Sequence, residues 1–177
     1  LVRDLADITV SVREYLLHAP YTWPTLVTTA FLESDESTQY DQIIDLGLPW
    51  FIGFYVSWYK ATYDSAIDAL WVKFEDNITD WPKAVTRILE FYRLPYEPQR
   101  VSTALERVTR DKERHRFNMG VVGRGRDCLT DLQLGRIVAM TRFYPDVDFS
   151  MIGIGPSAIA NERPRVGSTP GWGPPEG

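Results

Sequence analysis

The chain opens with the segment LVRDLADITVSVREYLL, residues 1–17, and this segment decides the fold. From Asp4 onward its apolar residues recur at the three- and four-residue spacing of one helix face, and Asp4 or Asp7 is placed to cap the first turn. Ahead of the helix, the apolar pair Leu1 and Val2 is typical of the end of a buried strand. The segment therefore predicts a strand that leads directly into an amphipathic helix. The apolar helix positions are Leu5, Ile8, Val12, Tyr15 and Leu16.

The junction between this strand and this helix is a candidate anion site. Arg3 stands at the junction, and Ser11 follows about two helical turns later. A guanidinium, the free N–H groups of a helix N-terminus and a hydroxyl are groups that bind phosphate in proteins. A local ion pair between Arg3 and the following Asp4 is the simpler interpretation of the same residues.

The rest of the domain predicts mainly helices. Short helices joined by loops are expected over residues 21–48, where a proline and acidic clusters interrupt short apolar runs. The apolar run over residues 49–59 predicts a helix buried on several sides, with its aromatic side chains in the core. Residues 70–74 predict a short buried strand. Further helices are expected from Pro82 to about Leu94, from Gln99 to Glu113, and from a capping box at Thr130 and Gln133 to about Tyr144.

The composition is that of one compact domain. Hydrophobic residues make up 44 % and charged residues 24 % of the 177 residues. The domain is expected to span residues 1–153, and the glycine- and proline-rich residues 154–177 are expected to form a loosely ordered tail. Cys128 is the only cysteine, which excludes an internal disulfide and favours a cytoplasmic location. No apolar run reaches the roughly 18 residues that cross a bilayer.

Charge is distributed unevenly along the chain. The net charge is −5, but residues 100–126 hold eight Lys or Arg against three Asp or Glu. The overall acidity argues against a nucleic-acid binder, whereas the basic stretch favours a smaller anionic ligand. The alternative is that much of this stretch is the solvated face of a helix.

The end of the basic stretch, RFNMGVVGRGR at residues 116–126, is a second candidate anion site. Its glycines let the backbone approach a ligand closely, and its arginines supply positive charge. The spacing matches neither a Walker loop nor a dinucleotide-binding fingerprint. A simple turn that delivers the chain to the capping box is the alternative.

Three separated blocks of this sequence resemble blocks of the sulfotransferases that use 3'-phosphoadenosine 5'-phosphosulfate (PAPS). They lie at residues 2–12, 72–95 and 118–130, and their order and spacing match those of the family. The first block has its Arg and Ser eight residues apart. The second resembles the family's Arg-Tyr-Glu-Asp and Leu-Gly-Leu-Pro block, and the third resembles its Arg-Lys-Gly-x-x-Gly loop. Trp50 and Trp58 resemble the family's tryptophan-containing helix. The resemblance implies an α/β class, as the helix-rich C-terminal portion of a P-loop-NTPase-like sulfotransferase fold with a small parallel sheet.

This resemblance also implies roles for individual residues in binding PAPS or its product PAP. Arg3 and Ser11 would bind the 3'-phosphate, Ser11 could also support catalysis, and Phe74 would lie against the adenine in place of the usual tyrosine. The closing loop departs from the family because Asn118 and Met119 replace its Arg-Lys pair, so nearby arginines would supply the charge. The other implied contacts are Thr109 near the adenine edge and, in or beside the loop, Arg116, Asn118, Gly120, Arg124 and Arg126.

The activity implied by the resemblance is sulfuryl transfer from PAPS to a hydroxyl or amine of a small molecule or glycan. No metal is required, and the sequence contains no recognisable ligand cluster for one. The family's phosphosulfate-binding loop is not found, and neither His18 nor His115 stands where its catalytic histidine belongs. The chain alone is therefore expected to show no turnover, and no catalytic residue is assigned. The alternative is a non-catalytic sulfotransferase-like binding or structural domain; neither nucleic acid nor a membrane is expected as a partner.

Overall fold

The computed structural model describes residues 1–18, 26–64, 66–78, 80–110 and 121–155, except the side chain of Thr109. Helices dominate this part of the chain. In chain order they are α1 Leu5–His18, α2 Thr29–Glu33, α3 Glu36–Gln42, α4 Leu48–Tyr63, α5 Phe74–Asn77, α6 Trp81–Phe91, α7 Pro98–Arg110, α8 Arg124–Cys128 and α9 Asp131–Thr141. A π-helical turn, Ile43–Gly47, joins α3 to α4, and a short 3-10 turn, Ser150–Ile152, follows α9.

Helix α1 begins at a side-chain cap supplied by Asp4. Oδ1 of Asp4 accepts a hydrogen bond from the N–H of Ala6 at 2.8 Å and from that of Asp7 at 3.3 Å. These bonds satisfy two of the N–H groups that a helix start leaves unpaired. Asp4 is therefore the cap residue, while Asp7, the other candidate, lies inside the helix with its side chain buried.

Helices α3 and α4 follow each other without a break. Gln42 and Leu48, which flank the π-helical turn, both keep right-handed helical backbone angles. Pro49 lies in the first turn of α4. A proline has no N–H to donate, and in a regular α-helix its ring collides with a carbonyl one turn earlier. The wider π turn directly ahead of Pro49 relieves that collision.

The main core lies where α1, α4 and α9 meet. Its buried apolar side chains come from these helices, from the π-helical turn and from the segment that follows α9, together with Tyr40 of α3 and Leu129. A second, smaller cluster packs beneath α2 and consists of Leu16, Leu26, Phe31 and Ile43. Helix α1 and the π-helical turn each contribute to both clusters and so connect them.

The capping box predicted at the start of α9 is confirmed. The hydroxyl of Thr130 accepts from the N–H of Gln133 at 3.3 Å, and the Gln133 side chain accepts from the N–H of Thr130 at 3.0 Å. The side-chain Nε2 of Gln133 also donates to the main-chain carbonyl of Ser37 at 3.1 Å and to Oδ1 of Asp41 at 3.0 Å. The box therefore fixes both the start of α9 and its contact with α3.

The predicted parallel sheet, and with it the α/β class, is wrong for this structure. The described residues contain no β-strand, and the two segments expected as strands meet in one parallel bridge between Val2 and Lys73. The N–H of Val2 donates to the Val72 carbonyl, and the N–H of Phe74 donates to the Val2 carbonyl, each at 2.8 Å. The ladder cannot extend because Asp4 already caps α1 and Phe74 already begins α5.

The aromatic residues of α4, all expected in the core, divide between the core and the surface. Tyr55 is buried, and its hydroxyl donates to the Asp148 carbonyl at 2.6 Å. Trp50, Phe54 and Trp58 are instead 59 %, 54 % and 43 % exposed. Their four-residue spacing places them in one row along α4, so the prediction of burial is wrong for that side of the helix.

No helix within the described ranges is both long and apolar enough to cross a bilayer.

Two helical glycines differ sharply in what an added side chain would meet. At Gly125 in α8 a Cβ would lie 2.2 Å from the main-chain carbon of Ala6, whereas at Gly53 in α4 it would meet nothing within 4 Å. We expect Gly125→Ala to lower the free energy of unfolding by about 1–3 kcal/mol, because the overlap forces α8 away from α1. Gly53→Ala is the matched control and should stabilise the protein by about 0.5–1 kcal/mol, because alanine is the better helix former. Urea denaturation measures both, and equal effects would contradict this packing.

Candidate anion-binding site

Helix α8 and the residues before it lie across one side of α1. The two elements approach so closely that Gly125 leaves no room for a side chain against the α1 backbone. Asp7, Ser11 and Glu14 recur on one side of α1 at helical spacing. Asp7 and Glu14 both contact this segment. The main chain of residues 121–125 is therefore placed beside the α1 residues that the sequence singled out.

The buried carboxylate of Asp7 is the centre of this contact. Only 1 % of its side-chain surface is exposed. Oδ2 accepts from the N–H of Gly123 at 2.8 Å, and Oδ1 accepts from the N–H of Gly125 at 2.7 Å. Oδ2 also lies 3.8 Å from Nη2 of Arg3. These partners offset the free energy needed to remove a carboxylate from water. The φ of +87° at Gly123 explains why that position favours glycine.

Arg3 is held by three neighbouring groups. Its Nη2 donates to the carbonyl of Val121 at 3.1 Å and faces the carboxylate of Asp7. Its Cζ lies 4.5 Å from the centroid of the Phe74 ring, which is a cation–π contact. Arg3 thus pairs with Asp7 and not with Asp4, whose carboxylate caps α1. The Nε of Arg3 is buried and has no hydrogen-bond partner within the described part of the chain.

Phe74, expected to lie against adenine, packs against Arg3 in the structure. The guanidinium covers one face of the ring. The Trp81 ring lies 6.1 Å from the Phe74 ring, with an angle of 65° between the two planes. A base bound at Phe74 would therefore have to use the remaining face of the ring.

Arg124, expected to supply charge for a ligand, is paired within the protein. Its Nη1 donates to Oε2 of Glu14 at 3.0 Å, and its Nη2 donates to Oε1 of the same carboxylate. This pairing raises the pKa of Arg124, and the hydrogen bond to Glu14 is the largest cause. Arg126, on the same short helix, is exposed. Of these two predicted site residues, Arg126 is therefore the one better placed for an external anion.

Ser11 lies one turn after Asp7 on the side of α1 that faces residues 121–128. It is half-buried, and its hydroxyl has no hydrogen-bond partner among the described residues. Neither Arg3 nor Ser11 lines the groove of about 590 Å³ between α6 and α7 or the cavity of about 350 Å³ beside Tyr59 and Phe149. The candidate site is therefore separate from both of these cavities.

The remaining predicted site residues lie outside what the structure describes. These are the side chain of Thr109 and the loop residues Arg116, Asn118 and Gly120. The structure does bring parts of all three sequence blocks together at the start of α1. Arg3 comes from the first block, Phe74 from the second and the main chain of residues 121–125 from the third.

Sequence reasoning missed the acidic residues of this site. Asp7 holds the loop, Glu14 holds Arg124, and Oε1 of Glu75 accepts from the N–H of Asp4 at 2.9 Å. Asp7 stands four residues after Arg3, and Glu14 stands seven residues after Asp7. This spacing was the available signal for Asp7 and Glu14, because it places them on the same side of the helix as Arg3.

Comparison of the chain with protein-family models, with functionally described proteins and with solved structures finds no match. Within the described ranges, no group of three or more His, Cys, Asp or Glu residues is arranged to hold a metal ion.

The pair formed by Glu14 and Arg124 should contribute measurably to stability. Their side chains are only 25 % and 21 % exposed, so solvent screens the pair less than it screens a surface pair. We expect a double-mutant cycle with Glu14→Gln and Arg124→Gln to give a coupling free energy of about 1–2 kcal/mol in urea denaturation.

The exposed pair between Glu97 and Arg100 is the matched control for this cycle. These side chains are 68 % and 82 % exposed, and their coupling should stay below about 0.5 kcal/mol. A Glu14–Arg124 coupling no larger than that of the control pair would contradict a structural role for this half-buried pair.

Proposed function

We propose that this chain forms the 3'-phosphate and adenine side of the donor site of a PAPS-dependent sulfotransferase. The observation that carries the proposal is the setting of Arg3 beside the main chain of residues 121–125. The side chain of Arg3 is 20 % exposed, so a ligand can reach it from the surface. Because Phe74 and Asp7 already restrict the guanidinium, it loses little freedom when it binds a phosphate.

In this proposal Arg3 is the main phosphate ligand. One charge-assisted hydrogen bond from a guanidinium contributes on the order of 1.5–3 kcal/mol. The hydroxyl of Ser11 and the guanidinium of Arg126 would add further donors from the same side of α1 and from α8. Arg124 is left out because its donors are bound to Glu14.

The proposed reaction moves a sulfuryl group from PAPS to a hydroxyl or amine of a small molecule or glycan, and releases PAP. Such a transfer needs an in-line acceptor, a base for its proton and positive charge near the leaving oxygen. The described residues would hold the nucleotide, and none of them is assigned as the base. The contacts of Arg3 and the resemblance of the three sequence blocks support this reaction, whereas the sheet that the resemblance also implied is not found in the described residues.

A non-catalytic sulfotransferase-like domain is the second candidate, and one observation favours it. Arg124, which the resemblance would place near the phosphate, is bound by Glu14. A domain whose loop arginine serves structure has fewer positive charges for a nucleotide. In that case the contact between α8 and α1 would be only a packing contact.

Binding of PAP separates these two functions. We expect PAP at about 100 times its Kd to stabilise the chain by about 2.7 kcal/mol, because it binds only the folded state. Arg3→Ala should abolish this stabilisation, since it removes the main phosphate ligand. A thermal-shift assay detects the stabilisation, and calorimetry measures the affinity.

Arg87→Ala is the matched control, because it also removes one positive charge but from an exposed position on α6. It should leave the PAP-dependent shift unchanged. A chain that PAP does not stabilise would support the non-catalytic alternative. PAP binding that survives Arg3→Ala would contradict the assignment of the phosphate to this site.

A further inference from the structure

The carboxylate of Asp7 connects the candidate phosphate ligand to the loop. It faces the guanidinium of Arg3 on one side and accepts the N–H groups of Gly123 and Gly125 on the other. Arg3 in turn donates to the carbonyl of Val121, two residues before Gly123. The contacts therefore close a ring that runs from Arg3 through Asp7 and the loop main chain back to Arg3.

A buried negative charge is unexpected beside a site for an anion. Asp7 lowers the positive potential of Arg3, and at short range in a buried setting this repulsion of a phosphate is substantial. An asparagine of the same shape would avoid the repulsion. It has one acceptor oxygen where the carboxylate has two, however, so it cannot accept from both glycine N–H groups through separate oxygens.

We infer that Asp7 is a positioning residue that fixes Arg3 relative to the main chain of residues 121–125 and so sets the geometry of the 3'-phosphate site. The inference rests on the proposed function. Asp7 does not touch the ligand in this scheme; it acts through Arg3 and the two glycine N–H groups. The two oxygens and the negative charge of Asp7 together hold three partners at once.

The substitution Asp7→Asn tests the inference, because a positioning role and a purely electrostatic role predict opposite changes in the affinity for PAP. Loss of a negative charge would by itself strengthen binding of an anion. Loss of the fixed position of Arg3 relative to residues 121–125 would instead weaken binding of the 3'-phosphate. We expect the affinity for PAP to fall about tenfold or more, while the affinity for 5'-AMP, which lacks the 3'-phosphate, changes by less than about twofold. Calorimetry with both nucleotides gives the ratio.

Thr9→Val is the matched control for a general loss of stability. The hydroxyl of buried Thr9 donates to the Leu5 carbonyl at 2.9 Å, on the side of α1 opposite Asp7. This variant loses one buried hydrogen bond of the same helix but should keep the ratio of PAP to 5'-AMP affinity. A purely structural role for Asp7 would make the two variants behave alike.

Amide hydrogen exchange provides a readout that needs no variant. Because the Gly123 and Gly125 N–H groups donate to Asp7, PAP should slow their exchange in the unmodified chain more than 5'-AMP does. If Asp7→Asn fails to fold, this measurement still decides the question. Equal protection by the two nucleotides would overturn the inference.

The outcomes separate the inference from the function it rests on. An unmodified chain without preference for PAP over 5'-AMP overturns both. Preference for PAP that Asp7→Asn keeps or strengthens overturns only the role of Asp7. Preference that is lost in Asp7→Asn and kept in Thr9→Val supports both.

Discussion

The structure depends on one buried carboxylate, that of Asp7. A carboxylate with 1 % of its surface exposed is tolerated only when its partners replace water. Two main-chain N–H groups and a guanidinium do so here, and the two N–H groups come from a segment more than 100 residues away in the sequence. Because one side chain satisfies these partners together, the position of α8, the conformation at Gly123 and the direction of Arg3 are determined jointly.

Small residues make the close approach of other segments to the start of α1 sterically feasible. Gly125 packs directly on the backbone of α1, and Gly153, with a φ of +88°, would place a Cβ 1.9 Å from Oδ2 of Asp4. Glu75 reaches the same point from another direction by accepting from the N–H of Asp4. The start of α1 is therefore the place where distant parts of the sequence converge. Any bulk or charge added there would disturb several of them at once.

The helices could be predicted from the sequence because their signals are local. The cap at Asp4, the capping box at Thr130 and the apolar periodicity of α1 each depend on residues within a few positions. The sheet could not be predicted correctly, because whether Val2 and Lys73 extend into a ladder depends on how soon each chain segment enters a helix. The exposure of Trp50 could not be predicted either, because an apolar helix does not indicate which of its sides the other helices cover.

The sequence shows which positively charged residues stand near the candidate site, but it does not show which of them are already paired within the protein. Arg3 and Arg124 look equivalent in a sequence, yet the partner of Arg124 stands 110 positions away and leaves Arg126 as the better placed arginine of α8. Ion pairing therefore reduces the number of cations available on the side of α1 that α8 covers, although residues 100–126 are strongly basic. A polyanion such as a nucleic acid needs many exposed cations to release its counterions. One fixed guanidinium beside the hydroxyl of Ser11 instead suits the single phosphate group that we propose for this site.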